Sequence, residues 1–343
     1  MKHFFRRMAK SQQMPFLRTA CVGLRSHHCR MKLAAIHSRE DLGARARSRV
    51  VALLLLIAYA TPILIIAFAS GCVSTEEVDD TSGMSFSAKP IYGKVVWNDL
   101  MTEDLDAARR FYGGVLGWTF ENYSARPGRG RYAIARSGNV YVAGLVPVPA
   151  RADGQKISRW LPYVSVDNVD RAVARAVDAG GTVAAEAQEI GFGRVAAIID
   201  PEGAVIGLAR SKVGDPDDET TRARAGRIVW TELLTNRAPA AAAEFYRSLV
   251  DYQVERTQRR GGEYTLLTIQ GENRAGILAN PSREWKSVWL TYFGVENLAE
   301  ASARVESLGG KVLLPPSPSV REGTMAVVAD PSGAILILQK LPI

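Results

Sequence analysis

The stretch Val96-Trp97-Asn98-Asp99-Leu100-Met101-Thr102 precedes a predicted helix that carries Phe111-Tyr112. The same pattern recurs as Val229-Trp230-Thr231-Glu232-Leu233-Leu234-Thr235, before a predicted helix that carries Phe245-Tyr246. Repetition over this distance indicates duplicated domains and not a solenoid of short units. The two copies can therefore be compared position by position.

Further landmarks repeat in the same order. Val166-Asp167-Asn168-Val169 corresponds to Val295-Glu296-Asn297-Leu298, and each opens a predicted helix that ends at a Gly-Gly pair, a helix C-cap signal. Asp200-Pro201-Glu202-Gly203-Ala204 corresponds to Asp330-Pro331-Ser332-Gly333-Ala334, which predicts a turn between two apolar strands. The repeat therefore extends to the C-terminal end of each copy.

Each copy divides again into two modules with the same order of elements. In the first module, a strand near 94–101 precedes a helix near 104–115, along which apolar residues recur at helical spacing. Strands near 117–123, 131–137 and 139–147 follow. The unit is βαβββ, and the chain contains it four times, which predicts the α+β class.

The predicted organisation of the chain has six parts. They are a basic leader 1–49, an apolar signal or anchor 50–72, a polar tether 73–91, domain 1 over 92–212, an acidic linker 213–225 and domain 2 over 226–343.

Over residues 92–343 these features resemble the vicinal oxygen chelate superfamily. The features are the paired βαβββ modules, Trp-x-(Asp/Glu)-Leu-x-Thr, the Phe-Tyr on a helix, the Gly-Gly pairs and Asp-Pro-x-Gly-Ala. That superfamily includes glyoxalase I, extradiol dioxygenases and fosfomycin- and bleomycin-resistance proteins, and tandem glyoxalase-like proteins related to a mycobacterial antigen are particularly similar. The resemblance implies two domains in which paired modules curl a mixed sheet into a cup.

The resemblance also implies where a metal would be bound, since metal-dependent members take four ligands from the first and last strands of two modules. The matching positions are Trp97, Gly144, Leu161 and Gly207 in domain 1, and Trp230, Gly276, Leu290 and Ile337 in domain 2. None of these side chains supplies the imidazole, thiolate or carboxylate that zinc, nickel or iron requires. After Cys72 the chain has no His or Cys. We therefore expect neither a transition metal nor another cofactor, and no metal-dependent glyoxalase or dioxygenase activity; a shifted carboxylate site for calcium or magnesium stays open.

The expected cup face of each domain carries one Trp, one carboxylate and one Tyr instead. Side chains alternate along a strand, so the Trp and the acid of each repeated motif share a face. Leu161-Pro162-Tyr163 matches Leu290-Thr291-Tyr292 and adds one Tyr to each cup. An apolar concavity with a few polar groups is typical of a small-molecule site. The candidate ligand-binding residues are Trp97, Asp99, Tyr163, Trp230, Glu232 and Tyr292.

Three functions are compatible with this pattern. The first is a metal-free binding module for a small organic ligand. The second is a metal-independent isomerase or lyase with Asp99 or Glu232 as base and Tyr163 or Tyr292 as acid, although no catalytic residue is assigned. The third is a structural envelope protein whose tryptophans only fill the cups, with Trp97 packed over the gap beside Gly144. A raised carboxyl pKa in an open cup would favour the enzyme, and filled cups would favour the structural protein.

The basic charge of the chain belongs to its N-terminal arm. Residues 1–50 hold twelve of the 43 Lys and Arg residues and two of the 35 acids, which leaves 31 basic and 33 acidic residues elsewhere. The two domains therefore have no electrostatic reason to bind nucleic acid.

An uncharged run over Val50–Gly71 follows Arg45, Arg47 and Arg49, and is long enough to span a bilayer. The run ends in Ala69-Ser70-Gly71, and Cys72 follows it. These four residues resemble the lipobox of bacterial lipoproteins, in which the Cys is acylated. The resemblance implies lipidation at Cys72 and a membrane-anchored protein of the cell envelope that faces the periplasm or the outer surface. An uncleaved transmembrane anchor is the alternative.

Overall fold

The structure of the protein is a computed structural model. It describes residues 88–123, 132–218, 223–259, 262–280 and 286–342. The predicted leader, the apolar segment and the predicted lipidation site at Cys72 lie outside these residues. Within the described ranges, no helix has the length and apolar character needed to cross a bilayer.

Four βαβββ modules follow one another along the described chain. Domain 1 consists of β1 Val95–Thr102, α1 Leu105–Leu116, β2 Thr119–Tyr123, β3 Tyr132–Ser137, β4 Val140–Pro147, β5 Arg159–Ser165, α2 Val169–Asp178, β6 Thr182–Ile190, β7 Gly193–Ile199 and β8 Val205–Ser211. Domain 2 consists of β9 Ile228–Thr235, α3 Pro239–Leu249, β10 Gln253–Arg259, β11 Gly262–Ile269, β12 Glu272–Ala279, β13 Val288–Val295, α4 Leu298–Ser307, β14 Lys311–Leu314, β15 Met325–Ala329 and β16 Ile335–Lys340. The predicted fold class is confirmed.

Each domain is built on one eight-stranded mixed sheet. The strand orders are β2-β3-β4-β1-β5-β8-β7-β6 and β10-β11-β12-β9-β13-β16-β15-β14. The first strands of the two modules pair antiparallel at the centre, and the last strand of each module flanks them in parallel. The four central strands of each sheet therefore carry all the positions at which the sequence predicts cup residues.

Local signals in the sequence fix the ends of the helices. Asp104 caps the N-terminus of α1, where its side chain accepts a hydrogen bond from the backbone N–H of Ala107. Gly117 ends the same helix at a φ of 71°, in the left-handed region that glycine adopts without strain. Asn168 and Asn297 cap α2 and α4 in the same way. These caps start α1, α2 and α4 directly after the central strands β1, β5 and β13.

The main apolar cores are shared between the two domains. One core joins the first module of domain 1 to the second module of domain 2, for example Phe111 of α1 with Val305 of α4. The other joins the second module of domain 1 to the first module of domain 2, for example Ala176 of α2 with Phe245 of α3. Phe111 and Phe245 are both buried, and the sequence did not reveal that their helices pack against the opposite domain.

Buried hydrogen bonds accompany this sharing of cores. Tyr112 donates from its hydroxyl to Asp330 in the other domain at 3.2 Å and accepts from the Trp160 indole at 3.0 Å. The second pairing repeats the arrangement. Tyr246 donates to Asp200 at 2.8 Å and accepts from the Trp289 indole at 3.0 Å.

The first part of the predicted linker packs on domain 1. Asp215 is buried and accepts hydrogen bonds from the Ser165 hydroxyl and from the backbone N–H of Ile91, both at 2.6 Å. Lys94 donates to the backbone carbonyls of Pro216 and Asp217. The Asp215 carboxylate of this acidic linker therefore binds the backbone just before domain 1 to the end of β5.

Candidate functional site

The three predicted residues of domain 1 come together on one face of its sheet. Trp97 pairs with Tyr163 across β1 and β5, and Asp99 pairs with Leu161 two positions along. Asp99 also pairs with Gly144 on β4. Because residues paired across a sheet point to the same side, all of them face the same concave surface, the domain 1 cup.

Asp99 is the polar centre of the domain 1 cup. The Trp97 indole donates to its Oδ1 at 2.9 Å, and the Tyr132 hydroxyl donates to the same oxygen at 3.0 Å. Burial raises the pKa of the Asp99 carboxyl above its usual range, although interactions with Trp97, Tyr132 and Tyr163 lower it in part. Trp97, Tyr132 and Tyr163 are only half-buried, so solvent reaches the side chains around the carboxyl.

The space beside Gly144 is filled in a way that the sequence interpretation did not foresee. A Cβ atom at this position would lie 1.9 Å from the Tyr132 hydroxyl and 2.2 Å from Asp99 Oδ1. Tyr132 and Asp99 provide the nearest atoms in this space, and the Trp97 indole lies beside them through its hydrogen bonds to both. Gly207 similarly leaves room for the ring of Tyr163, which a Cβ would meet at 2.2 Å.

The domain 2 cup contains the corresponding residues in a more closed arrangement. Glu232 is only 1% exposed and accepts hydrogen bonds from the hydroxyls of Tyr264 at 2.7 Å and Tyr292 at 2.8 Å. The Trp230 indole donates to the Tyr264 hydroxyl at 2.9 Å. Arg321 donates to Glu232 Oε2 at 2.7 Å, so the acid of this cup is paired with a cation from the protein itself.

Arg321 reaches the cup from a connection that is much longer than its counterpart in domain 1. Residues 315–324 join β14 to β15, whereas residues 191–192 alone join β6 to β7. Arg321 and Glu322 have φ angles of 45° and 57°, a left-handed conformation that strains side-chain-bearing residues by roughly 1–3 kcal/mol each. Interactions around the Arg321 guanidinium are the evident compensation.

Apolar side chains close the rest of the domain 2 cup. The register leads across the sheet from Tyr292 to Ile337, Val327 and Leu314, all buried in one cluster. Together with Leu290, these side chains occupy the surface on which a ligand would rest.

The same register in domain 1 carries much smaller side chains. It leads from Tyr163 to Gly207, Ala197 and Ala185, and Ala185 is exposed. The asymmetry lies in size and exposure, because the strand pairing is the same. Domain 1 therefore has the more open cup.

The donor set of the cups does not fit a transition metal. The eight positions that the family resemblance assigns to ligands lie on the cup faces, and their side chains are indole, aliphatic or absent. No three His, Cys, Asp or Glu side chains of the described residues are grouped so that they could hold a metal ion.

Three residues of the cups were missed at the sequence level. Tyr132 and Tyr264 each lie two positions before the residue that pairs with the cup glycine, Gly144 or Gly276. Aligning the third strand of module one with the third strand of module three would have identified this pair. Arg321 could not be found in that way, because the two-residue counterpart of its connection in domain 1 has no position that matches it.

Comparisons with known proteins agree with this architecture. Residues 94–208 match the Glyoxalase/Bleomycin resistance protein/Dioxygenase superfamily, and residues 233–337 match a glyoxalase-like domain. CFP32 of Mycobacterium tuberculosis, a protein with glyoxylase in its name, is 32% identical over 248 residues, which cover 71% of this chain and 93% of CFP32. The anthracycline biosynthesis protein DauV of Streptomyces sp. (strain C5) is 28% identical over 255 residues, which cover 71% of this chain and 91% of DauV. The solved Mn(II)-bound glyoxalase from Novosphingobium aromaticivorans is 16% identical, with a TM-score of 0.46 over 73% of this chain and 82% of that one.

Proposed function

Since the chain belongs to the glyoxalase/bleomycin resistance/dioxygenase superfamily, we propose that domain 1 binds a small organic molecule in its cup without a transition metal. One observation carries this proposal. The Asp99 carboxyl lies among half-exposed aromatic side chains, whereas its counterpart Glu232 is buried beneath Arg321. Domain 2 then serves as the structural partner that completes the shared cores.

The chemistry of the domain 1 cup supports a ligand with a planar or apolar part. Trp97 and Tyr163 offer ring surface, and Tyr132 and Asp99 offer polar atoms that can fix an orientation. The names of two relatives refer to different small-molecule chemistry, glyoxylase activity and anthracycline biosynthesis. These names support a small molecule as the class of ligand.

A metal-independent isomerase or lyase is the second candidate. The observation that favours it is the raised pKa of the Asp99 carboxyl, because a general base needs a pKa closer to neutrality than that of an ordinary carboxylate. Tyr163 would then be the acid. In domain 2 the pairing of Glu232 with Arg321 argues against the same role.

The experiment that tests binding is a thermal-shift screen of the full chain in mild detergent against metabolite-like compounds. A ligand that binds the native state raises the melting temperature. Asp99→Asn should abolish the shift, and Asp106→Asn, which alters an exposed acid on α1, should leave it unchanged. Any compound that binds is then incubated with the protein and analysed for products, which separates the binding module from the enzyme.

We also propose that the protein is attached to the membrane of the cell envelope by acylation of Cys72, facing the periplasm or the outer surface. The support is the uncharged run of Val50–Gly71 after three arginines, together with the lipobox-like Ala69-Ser70-Gly71-Cys72. More than one acyl chain would give firm attachment, since a single chain binds a bilayer only marginally.

A further inference from the structure

The domain 2 cup holds a cation in a defined arrangement. The Arg321 guanidinium donates to Glu232 at 2.7 Å, and its Cζ lies 5.3 Å from the centre of the Tyr292 ring. A charge-assisted bond to a carboxylate and a contact with an aromatic ring both favour a planar cation. The occupied cup therefore shows how this framework receives a guanidinium.

The domain 1 cup presents the same receiving groups. Asp99 matches Glu232, since each pairs with a cup glycine and a leucine, and Tyr163 matches Tyr292, since each pairs with the motif Trp. The groups that act on the Asp99 carboxyl are Trp97, Tyr132 and Tyr163, and within the described chain no Lys or Arg is paired with it. Among the residues that the structure describes, Asp99 thus has neutral donors and no paired cation.

The shape of the domain 1 cup leaves space for that cation. The Asp99 side chain is one methylene shorter than that of Glu232, so its carboxyl lies nearer the sheet. The connection 191–192 has two residues, neither of them charged, where the ten-residue connection 315–324 of domain 2 carries Arg321. Ala185 is exposed where its counterpart Leu314 is buried, which leaves this side of the cup open.

We infer that the ligand of the domain 1 cup carries a protonated amine, amidine or guanidinium group, which bonds to Asp99 and lies against the Tyr163 ring. This inference rests on the proposed function and specifies the class of ligand. The rest of the ligand extends along Trp97 toward the open side of the cup.

The test compares benzamidine with benzamide, a neutral molecule of nearly the same shape. The full chain in mild detergent is titrated with each compound by calorimetry. We expect saturable binding of about one benzamidine per chain, at least tenfold weaker binding of benzamide, and at least tenfold weaker benzamidine binding in Asp99→Asn. The control Asp106→Asn should bind benzamidine like the unaltered protein.

A second arm tests the comparison between the cups. Arg321→Ala removes the internal cation and vacates a space of the size of a guanidinium group, because apolar side chains fill the rest of the domain 2 cup. Guanidinium chloride at millimolar concentration should therefore raise the melting temperature of Arg321→Ala, and should raise it less in Arg321→Ala with Glu232→Gln. A folded Arg321→Ala protein that guanidinium does not stabilise overturns the use of domain 2 as a guide. If this variant does not fold, the Asp99→Asn result decides alone.

The failures of the two proposals are distinguishable. If benzamide binds as tightly as benzamidine, or if Asp99→Asn leaves benzamidine binding unchanged, the inference of a cationic ligand is overturned. The absence of saturable benzamidine binding overturns it as well. The proposed small-molecule function fails only if the screen with neutral, anionic and cationic compounds gives no shift that depends on the domain 1 cup.

Discussion

The hydroxyl of Tyr112 in domain 1 donates a hydrogen bond to the Asp330 carboxylate in domain 2, at 3.2 Å and out of contact with solvent. The partner residues are 218 positions apart in the chain. Asp330 also accepts from the backbone N–H groups of Ser332 and Ala334, so one side chain holds both a turn of domain 2 and a helix of domain 1. This bond makes the stability of each domain depend on the other.

Removing the Tyr112 hydroxyl should destabilise the whole protein. In Tyr112→Phe, the buried Trp160 indole loses its acceptor and Asp330 loses a donor, which we expect to cost about 1–3 kcal/mol. Chemical unfolding followed by both fluorescence and circular dichroism measures the loss, and the two probes should report one transition. Tyr92→Phe, at an exposed tyrosine, is the control. Two separate transitions would contradict the coupling.

The free energy of unfolding should decrease as the pH rises from about 4 to about 6, because of the Asp330 carboxyl. Burial raises the pKa of its carboxyl from 3.8 to about 6, so the folded state binds the proton more tightly than the unfolded state does. Its contribution is therefore fully present below the unfolded pKa and is lost as the pH rises through the folded pKa, by roughly 3 kcal/mol at most. The measurement is the free energy of unfolding as a function of pH for the unaltered protein and Asp330→Asn. Parallel curves over this range would refute the assignment.

Replacing each cup acid by its neutral amide should lower the stability of the protein in domain 2 but not in domain 1. Glu232→Gln leaves the partly exposed Arg321 guanidinium without its charged partner, and the loss of this charge-assisted hydrogen bond should cost about 1.5–3 kcal/mol. Asp99→Asn removes a carboxyl whose charged form is disfavoured by burial, so the free energy of unfolding at neutral pH should not decrease. Thermal unfolding of both variants, with Asp106→Asn as control, makes the comparison. Equal destabilisation would mean that Asp99 is structural and that the site is misassigned.

An added methyl group at Gly144 should impair the domain 1 cup. In Gly144→Ala, the Cβ would displace the Tyr132 hydroxyl and the Asp99 carboxyl, and such overpacking costs about 1–3 kcal/mol. Binding of any domain 1 ligand should weaken because both groups move. Gly276→Ala is the matched control, since it crowds Tyr264 in the other cup and should lower stability without changing ligand affinity.

Lipidation is checked by mass spectrometry of the protein extracted from membranes. The expected N-terminal residue is an acylated Cys72, and Cys72→Ser should release the protein from the membrane fraction if signal processing still occurs. An intact chain with an unmodified Cys72 would show that the apolar segment is a transmembrane anchor instead.

Much of the fold could be predicted because the same sequence motifs occur in both domains. The Trp-x-(Asp/Glu)-Leu-x-Thr motif, the Gly-Gly pairs and the Asp-Pro turns mark strand and helix boundaries locally, and the predicted strand near 139–147 is β4 to within a residue. The shared face of Trp97 and Asp99 followed from the alternation of side chains along a strand. Local periodicity was sufficient for these features.

The pairing of helices between domains could not be predicted, since the periodicity of a helix shows which face is apolar and not which surface covers it. Phe111 would look the same in either packing. The difference between the cups was also hidden, because Asp99 and Glu232 are equivalent in the motif and only Arg321, far along the chain, distinguishes them. Long-range contacts of this kind leave no local pattern.

The shared cores have an evolutionary consequence. In a symmetric pair of identical subunits, one gene encodes both sites, so a mutation that closes one site closes the other. Here a single chain contains both domains, so each cup is encoded by its own codons. The domains still depend on each other for folding, because their helices share apolar cores. Selection can therefore fill the Glu232 cup with Arg321 and larger apolar residues without altering Asp99. Covalent fusion therefore allows one cup to close while the other stays open.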